Sequence, residues 1–95
     1  MARELLRTGR FDRDFVRRWT NWDDFLPQRD PAGPRTFERF VDVLTELYAH
    51  YTPELVAEEC RIPPEVVPRL ADEIARAGPR FTSHLWRNTA SGNLG

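Results

Sequence analysis

The chain has 95 residues, a length that allows one domain but not two. Its six Phe, three Trp and two Tyr exclude a disordered chain, because disordered segments are poor in aromatic residues. A net charge of −1 argues against a general nucleic-acid-binding domain, the single cysteine excludes an intrachain disulfide, and no apolar run is long enough to span a membrane.

Two short helices are predicted at the start of the chain. Residues 2–8 have a helical pattern that ends at Gly9, a typical position for a glycine that follows a helix. Asp12 is expected to cap a second helix that ends near Trp19. Three apolar residues lie on one side of this helix: Phe15, Val16 and Trp19. Its more solvated flank carries three arginines: Arg13, Arg17 and Arg18.

The middle of the chain is predicted to be a loop followed by the most regular helix. Residues 21–34 are rich in Asp, Pro and Gly, which favour turns and loops. Three residues of this loop are large and apolar and are expected to anchor it to a core: Trp22, Phe25 and Leu26. From Thr36 to His50, apolar residues recur at spacings of three and four, which predicts an amphipathic helix.

Two further helices follow in the prediction. Thr52-Pro53-Glu54 combines a hydroxyl cap, a proline at the first helical position and an acid in the first turn, which together indicate a helix start. Arg61-Ile62-Pro63-Pro64 ends this short helix, because proline is poorly tolerated inside one. A last helix covers about Glu65 to Ala77, and Gly78-Pro79 ends it.

A single strand is predicted from Arg80 to Trp86, with a polar loop from Arg87 to Gly95 after it. One strand cannot satisfy its own backbone donors and acceptors, so its partners must come from another chain, another copy or residues outside this sequence. We therefore expect a mostly α fold of four or five short helices, followed by one strand of a larger α/β domain that is otherwise missing. Residues 1–95 would then form a single partial domain.

Few residues carry an obvious chemical signal. The two histidines and one cysteine have no short spacing, which makes a metal site or a hydrolase triad a weak interpretation. Cys60 is expected to be a buried or half-buried thiol at a helix C-terminus, where a thiolate is disfavoured. The segment from Pro53 to Ala77 also fits a helix-turn-helix DNA reader, but its second helix lacks the basic excess of a recognition helix.

The polar loop after the predicted strand is the strongest candidate for a binding site. Ligands of α/β sheets gather at the carboxyl ends of strands, where this loop would begin. Arg87 could pair with a phosphate or an anionic substrate, because arginine forms bidentate contacts with such groups. Side chains and backbone that could donate hydrogen bonds follow it: Asn88, Thr89, Ser91 and Gly92.

Three stretches follow one another in an informative order. The first runs from Leu5 to Val16. It has a helical pattern, then Gly9, the aromatic Phe11, Asp12 and the pair Phe15-Val16. The second is Tyr51 to Val67, with Thr-Pro-Glu and then Ile-Pro, and the third is the run from Phe81 to Gly95. Together they resemble the molybdopterin-dependent oxidoreductases, namely the large catalytic subunits related to dimethyl sulfoxide reductase, nitrate reductase, formate dehydrogenase and polysulfide reductase.

The resemblance implies that the chain is a fragment of such a subunit, from a bacterial or archaeal enzyme. These enzymes hold molybdenum or tungsten in two molybdopterin guanine dinucleotides and transfer an oxygen atom, a sulfur atom or a hydride equivalent. The resemblance also implies that the loop after the strand faces the cofactor or the substrate funnel. Five residues are therefore candidate cofactor contacts: His84, Arg87, Asn88, Ser91 and Asn93.

The resemblance assigns no catalytic residue and no metal ligand to this chain. The family's metal ligand and iron–sulfur cysteines belong to regions that this sequence does not contain, so the chain is not expected to be active alone. Its expected partners are the remainder of the catalytic subunit and an electron-transfer subunit, without nucleic acid. The alternative is a small helical interaction module or a helix-turn-helix DNA-binding module. Substrate, metal, redox direction and compartment, cytoplasmic or periplasmic, stay open.

Overall fold

The computed structural model describes residues 1–82 of the chain, and these residues are mostly helical, as predicted. Within them there are six α-helices and one 3-10 turn: α1 (Ala2–Thr8), α2 (Arg13–Trp19), α3 (Trp22–Arg29), α4 (Phe37–Tyr48), α5 (Pro53–Cys60), α6 (Val66–Ala77) and the 3-10 turn (Gly78–Arg80). None of these helices is long and apolar enough to cross a membrane.

The predicted helix starts and ends are confirmed by their capping groups. The Asp12 carboxylate accepts the backbone N–H of Phe15 at 2.9 Å and caps α2. Thr36 and Thr52 cap α4 and α5 in the same way, each through its hydroxyl oxygen. Gly9 ends α1 with φ 67°, a left-handed conformation that costs a residue with a side chain more than it costs glycine.

The prediction of a loop over residues 21–34 is wrong for residues 22–29, which form α3 and bring the described residues to six α-helices where four or five were predicted. Pro27 lies inside this helix, although an internal proline costs about 3 kcal/mol relative to alanine. Packing offsets that cost, because Leu26 is 1% exposed and is the most deeply buried side chain of the core. The expectation that Trp22, Phe25 and Leu26 anchor this segment is confirmed, since all three pack in the core cluster.

The core lies between α3 and α4. Its buried residues are Leu26, Phe37, Phe40 and Val43. Two edge-to-face aromatic pairs connect the helices, Trp22 with Phe37 at 5.7 Å and Phe25 with Phe40 at 6.0 Å between ring centroids. Helix α1 packs on both α4 and α6, and α6 buries Val67 and Ala71.

The predicted strand does not begin where the sequence pattern placed it. Arg80 belongs to the 3-10 turn, because Pro79 restricts its own φ and the Phe81 N–H donates to the Gly78 carbonyl at 3.3 Å. Phe81 and Thr82 lie outside any helix, and no strand occurs in residues 1–82. The other strand positions, 83–86, lie outside the described residues, so the strand and the larger α/β domain stay predictions.

Candidate functional site

The five residues predicted to contact a cofactor are not among those that the structure describes. They are His84, Arg87, Asn88, Ser91 and Asn93, and the described range ends at Thr82. Their grouping into one site therefore stays a prediction. The surfaces whose geometry is known are those formed by residues 1–82.

Metal-binding side chains do not cluster within residues 1–82, where no group of three His, Cys, Asp or Glu residues could hold an ion. His50 is exposed and packs edge-on against Tyr51, with 5.5 Å between the ring centroids. Cys60 is exposed, which corrects the expectation of a buried or half-buried thiol. The short α5 buries none of its residues fully, so its last residue has no core to enter.

An open cleft of about 320 Å³ lies beside the core at the junction of α2, α3 and α4. Four of its lining residues are aromatic or aliphatic: Trp22, Phe25, Phe40 and Leu44. The other three are polar: Thr20, Asn21 and Gln28. Thr20 donates to the Val16 carbonyl at 2.7 Å, and Gln28 donates to the Asp24 carbonyl at 3.1 Å. One donor of Thr20 and one of Gln28 are therefore used locally, and four of the seven lining residues give the cleft an aromatic or aliphatic surface.

Helix α2 exposes two of the three apolar residues that were predicted to share one side. Val16 packs against the core cluster, whereas Phe15 is 59% exposed and Trp19 is 75% exposed. In an α-helix, residues four apart are neighbours and adjacent residues are about 100° apart, so Phe15 and Trp19 form a stripe that turns away from Val16. We call Phe15, Arg18 and Trp19 the α2 outer face.

The orientation of α2 is held at both of its ends. Arg13 near its start lies over the rings of Phe11 and Phe37, at 5.6 and 5.3 Å from the ring centroids. Near its end, the Trp22 indole N–H of α3 donates to the Arg17 carbonyl at 3.1 Å. These contacts fix Val16 toward the core, and they leave Phe15 and Trp19 on the solvent side.

Glu4 is the one buried charged residue among those described. Its carboxylate accepts hydrogen bonds from Arg3 at 2.6 Å and from Arg7 at 2.9 Å. The hydrogen bond from Arg7, and then the charges of both arginines, hold the pKa of Glu4 below its ordinary value against the opposing effect of burial. Arg3 also donates to the Ala49 carbonyl at 3.3 Å, so this cluster joins α1 to the end of α4.

Glu4→Gln is expected to lower the free energy of unfolding by about 1–2 kcal/mol near neutral pH, because hydrogen bonds to a charged group are lost. A lowered pKa in the native state means that this stabilisation exists at pH values above the ordinary pKa of 4.5 and is lost as the pH falls through the native value. Urea unfolding at several pH values measures both effects.

The control for this prediction is Glu58→Gln, which removes the same charge from an exposed position of α5. It is expected to change the free energy of unfolding by about 0.5 kcal/mol or less. A Glu4→Gln effect that stays the same from neutral to strongly acidic pH would contradict the role assigned to the carboxylate.

The α5–α6 pair was the basis of the helix-turn-helix alternative. Five residues separate the two helices, and the junction includes Arg61 with φ 54°, a left-handed conformation. On α6, Asp72 pairs with Arg76 at 2.9 Å and with Arg10, which follows the end of α1. The hydrogen bond from Arg10 holds the pKa of Asp72 below its ordinary value. Within α6, Asp72 and Glu73 balance Arg69 and Arg76, so this helix lacks the basic excess of a recognition helix.

Sequence reasoning missed the two features that stand out in the described residues. Glu4 has a recoverable signal, since arginines at adjacent and i,i+3 positions place two cations around one carboxylate. The outer face of α2 has none, because the sequence does not say which part of an apolar stripe meets the core. No protein-family model matches the chain, and neither a curated protein nor a solved structure does.

Proposed function

We propose that the chain is a segment of the catalytic subunit of a molybdopterin-dependent oxidoreductase. In this assignment it contributes helices and one loop to an enzyme that transfers an oxygen atom, a sulfur atom or a hydride equivalent, and it has no activity alone. The support is the order and local chemistry of the three stretches that resemble the family. The helix ends expected within the first two stretches, at Gly9, Asp12 and Thr52, are the ends found in the fold.

The observation that carries the proposal is the exposure of a large apolar side chain in each stretch. Phe15 in the first, Tyr51 in the second and Phe81 in the third are 59%, 52% and 49% exposed. Single exposed apolar residues are common on protein surfaces. Three aromatic residues, one in every stretch of the resemblance, are what we expect if these stretches pack against further parts of a larger subunit.

In this proposal the cofactor is held by residues between His84 and Asn93 and not by the described helices. Arg87 supplies a bidentate donor for a phosphate, and Asn88, Ser91, Asn93 and His84 supply further hydrogen-bonding groups. This donor set fits the phosphates and the pterin of a molybdopterin guanine dinucleotide. When bound, that group provides the metal and its two-electron redox chemistry; the chain's own residues would orient it and neutralise its charge.

The experiment is to isolate the native polypeptide from the cells that make it, with an antibody raised against residues 1–82. Its mass, its molybdenum and tungsten content, and its pterin and guanine nucleotide content are then measured. We expect a polypeptide much longer than 95 residues that retains both pterin and metal. A polypeptide no longer than this chain, or a longer one without pterin, would overturn the proposal.

Substitutions in the predicted loop test whether a particular residue binds the cofactor. Arg87→Ala in the native polypeptide is expected to reduce the guanine nucleotide and pterin retained after purification, because a phosphate partner is removed. Arg69→Ala is the matched control, since Arg69 is exposed on α6 and forms no ion pair with the residues of the described range. Equal cofactor content in both variants would remove Arg87 from the proposed site.

A small helical interaction module is the second candidate. The outer face of α2 favours it, because Phe15 and Trp19 are exposed side by side. The two candidates differ in what the native polypeptide contains: an interaction module is complete without pterin or metal, and an oxidoreductase segment belongs to a polypeptide that holds both. The helix-turn-helix variant gains no such support, because the two acids and two arginines of α6 give this helix no basic excess.

A further inference from the structure

The segment between α3 and α4, residues 30–36, is bound at both ends by one residue of α4. We call this segment the α3–α4 strap. Arg39 donates from its guanidinium Nε to the Asp30 carboxylate at 2.6 Å, and its backbone N–H donates to the Thr36 hydroxyl oxygen at 3.2 Å. The side chains of Asp30 and Arg39 are only 22% and 30% exposed, so solvent competes only partly for their contact.

Gly33 lies against the same carboxylate. A Cβ atom at position 33 would lie 2.5 Å from the Asp30 Cγ and 2.9 Å from the Asp30 Oδ1, closer than real Cβ atoms approach other atoms. The backbone of Gly33 is not in the left-handed region, so alanine could adopt its conformation without strain. The space that the Asp30 carboxylate occupies is therefore the reason that position 33 favours glycine.

Few other contacts order the α3–α4 strap. Its residues 31–36 are exposed or half-buried, and none of them belongs to the core cluster. Pro31 and Pro34 have no backbone N–H to donate. Among the described residues, the one backbone hydrogen bond within the strap runs from the Gly33 N–H to the Asp30 carbonyl, at 3.3 Å. Because ion pairs near the surface contribute little to the stability of a whole fold, we expect the Asp30–Arg39 contact to order the strap and not to hold the core together.

We propose that Asp30, Gly33 and Arg39 form a clasp that holds the α3–α4 strap in one conformation, and that this clasp opens while the core between α3 and α4 stays folded. The clasp is a conformational device of the fold and does not depend on the proposed function. Its closed state requires the Asp30 carboxylate in one place, because Arg39 binds it there and Gly33 leaves space for it. Loss of the carboxylate releases Arg39, and a side chain at position 33 displaces the carboxylate.

Trypsin cleavage of the bond after Arg35, an exposed residue of the strap, measures how often the clasp opens, because proteolysis follows the population of the open form. Asp30→Ala is expected to accelerate this cleavage several-fold, while the far-UV circular dichroism spectrum stays that of the unsubstituted chain. The helical signal is expected to persist because the strap contributes no side chain to the core cluster.

The matched control for this experiment is Asp42→Ala. Asp42 is exposed on α4 and forms no ion pair within residues 1–82, so its removal takes away the same charge without touching the clasp. Its cleavage rate is expected to equal that of the unsubstituted chain. Equal cleavage of the Asp30→Ala and Asp42→Ala variants, or loss of the helical signal in Asp30→Ala, would overturn the proposal.

Gly33→Ala, made alone and together with Asp30→Ala, tests the fit between position 33 and the carboxylate. Alone, it is expected to accelerate cleavage after Arg35 and to lower the urea midpoint of unfolding, because the new Cβ displaces the carboxylate. In the Asp30→Ala background the midpoint is expected to stay the same or to rise, since no carboxylate remains and alanine restricts the unfolded chain more than glycine does. An equal decrease in both backgrounds, or no decrease in the unsubstituted chain, contradicts the clasp.

Discussion

Phe40→Ala is expected to lower the free energy of unfolding by about 3–5 kcal/mol, the usual range for removal of a buried aromatic ring. Phe40 is 6% exposed, and its ring packs against three others: those of Phe37 at 5.8 Å, Phe25 at 6.0 Å and Trp22 at 6.2 Å between centroids. Its removal leaves a cavity between α3 and α4 that rigid neighbouring rings fill poorly.

Urea unfolding followed by far-UV circular dichroism measures this effect. Phe15→Ala is the matched control, because it makes the same chemical change at a side chain that is 59% exposed, and it is expected to cost less than about 1 kcal/mol in the chain by itself. Since small domains have only about 5–15 kcal/mol of total stability, Phe40→Ala should remove a large share of it. Equal effects of the two variants would contradict the assignment of the core.

Leu26→Ala is expected to lower the free energy of unfolding by about 2–5 kcal/mol. Leu26 is 1% exposed, and its burial offsets the cost of the proline that follows it in α3. Without the leucine side chain, α3 keeps the unfavourable proline and loses the contact that compensates for it. We therefore expect loss of α3 packing along with the loss of stability.

Two measurements distinguish this local effect from general destabilisation. Leu47→Ala, at a position that is 41% exposed on α4, is expected to cost about 1 kcal/mol or less. Amide hydrogen exchange under native conditions should accelerate most in Trp22–Arg29 of the Leu26→Ala variant. Exchange that accelerates equally in all helices would show that α3 does not depend on Leu26 in particular.

The exposed aromatic residues are relevant both to the fold and to the proposed function. The described helices form one core around Leu26 and Phe40, yet they leave Phe15, Trp19 and Tyr51 largely exposed. An isolated interaction module and a segment of a large catalytic subunit both explain such exposure. The two candidates differ in whether the native polypeptide holds pterin and metal, which is why its cofactor content is the informative measurement.

The candidate site was predicted from the sequence only as a set of residue types. Arg87 and its polar neighbours were chosen because they follow a predicted strand, and all of them lie outside the described residues. The α2 outer face differs, because its position in the fold is known. Its residues are visible in the sequence as part of an apolar stripe, but their exposure depends on which side of α2 meets the core.

Local sequence signals are sufficient to place most of the helix ends. Asp12, Thr36, Thr52 and Gly9 act within one turn of their own backbone, so their effect needs no distant partner. The apolar pattern from Thr36 to His50 likewise predicted α4, although the pattern alone does not say that Phe37, Phe40 and Val43 are its buried residues.

Contacts between helices decide two features that the local signals do not: the state of residues 22–29 and the exposure of individual side chains. It made residues 22–29 a helix despite Pro27, because the burial of Leu26 against α4 outweighs the local cost. It also exposed Phe15 and Trp19 while burying Glu4, since α1 and α2 are oriented by contacts with distant residues such as Ala49 and Phe37. Local propensities decide how a segment folds, and the contacts between segments decide which of its faces meets solvent.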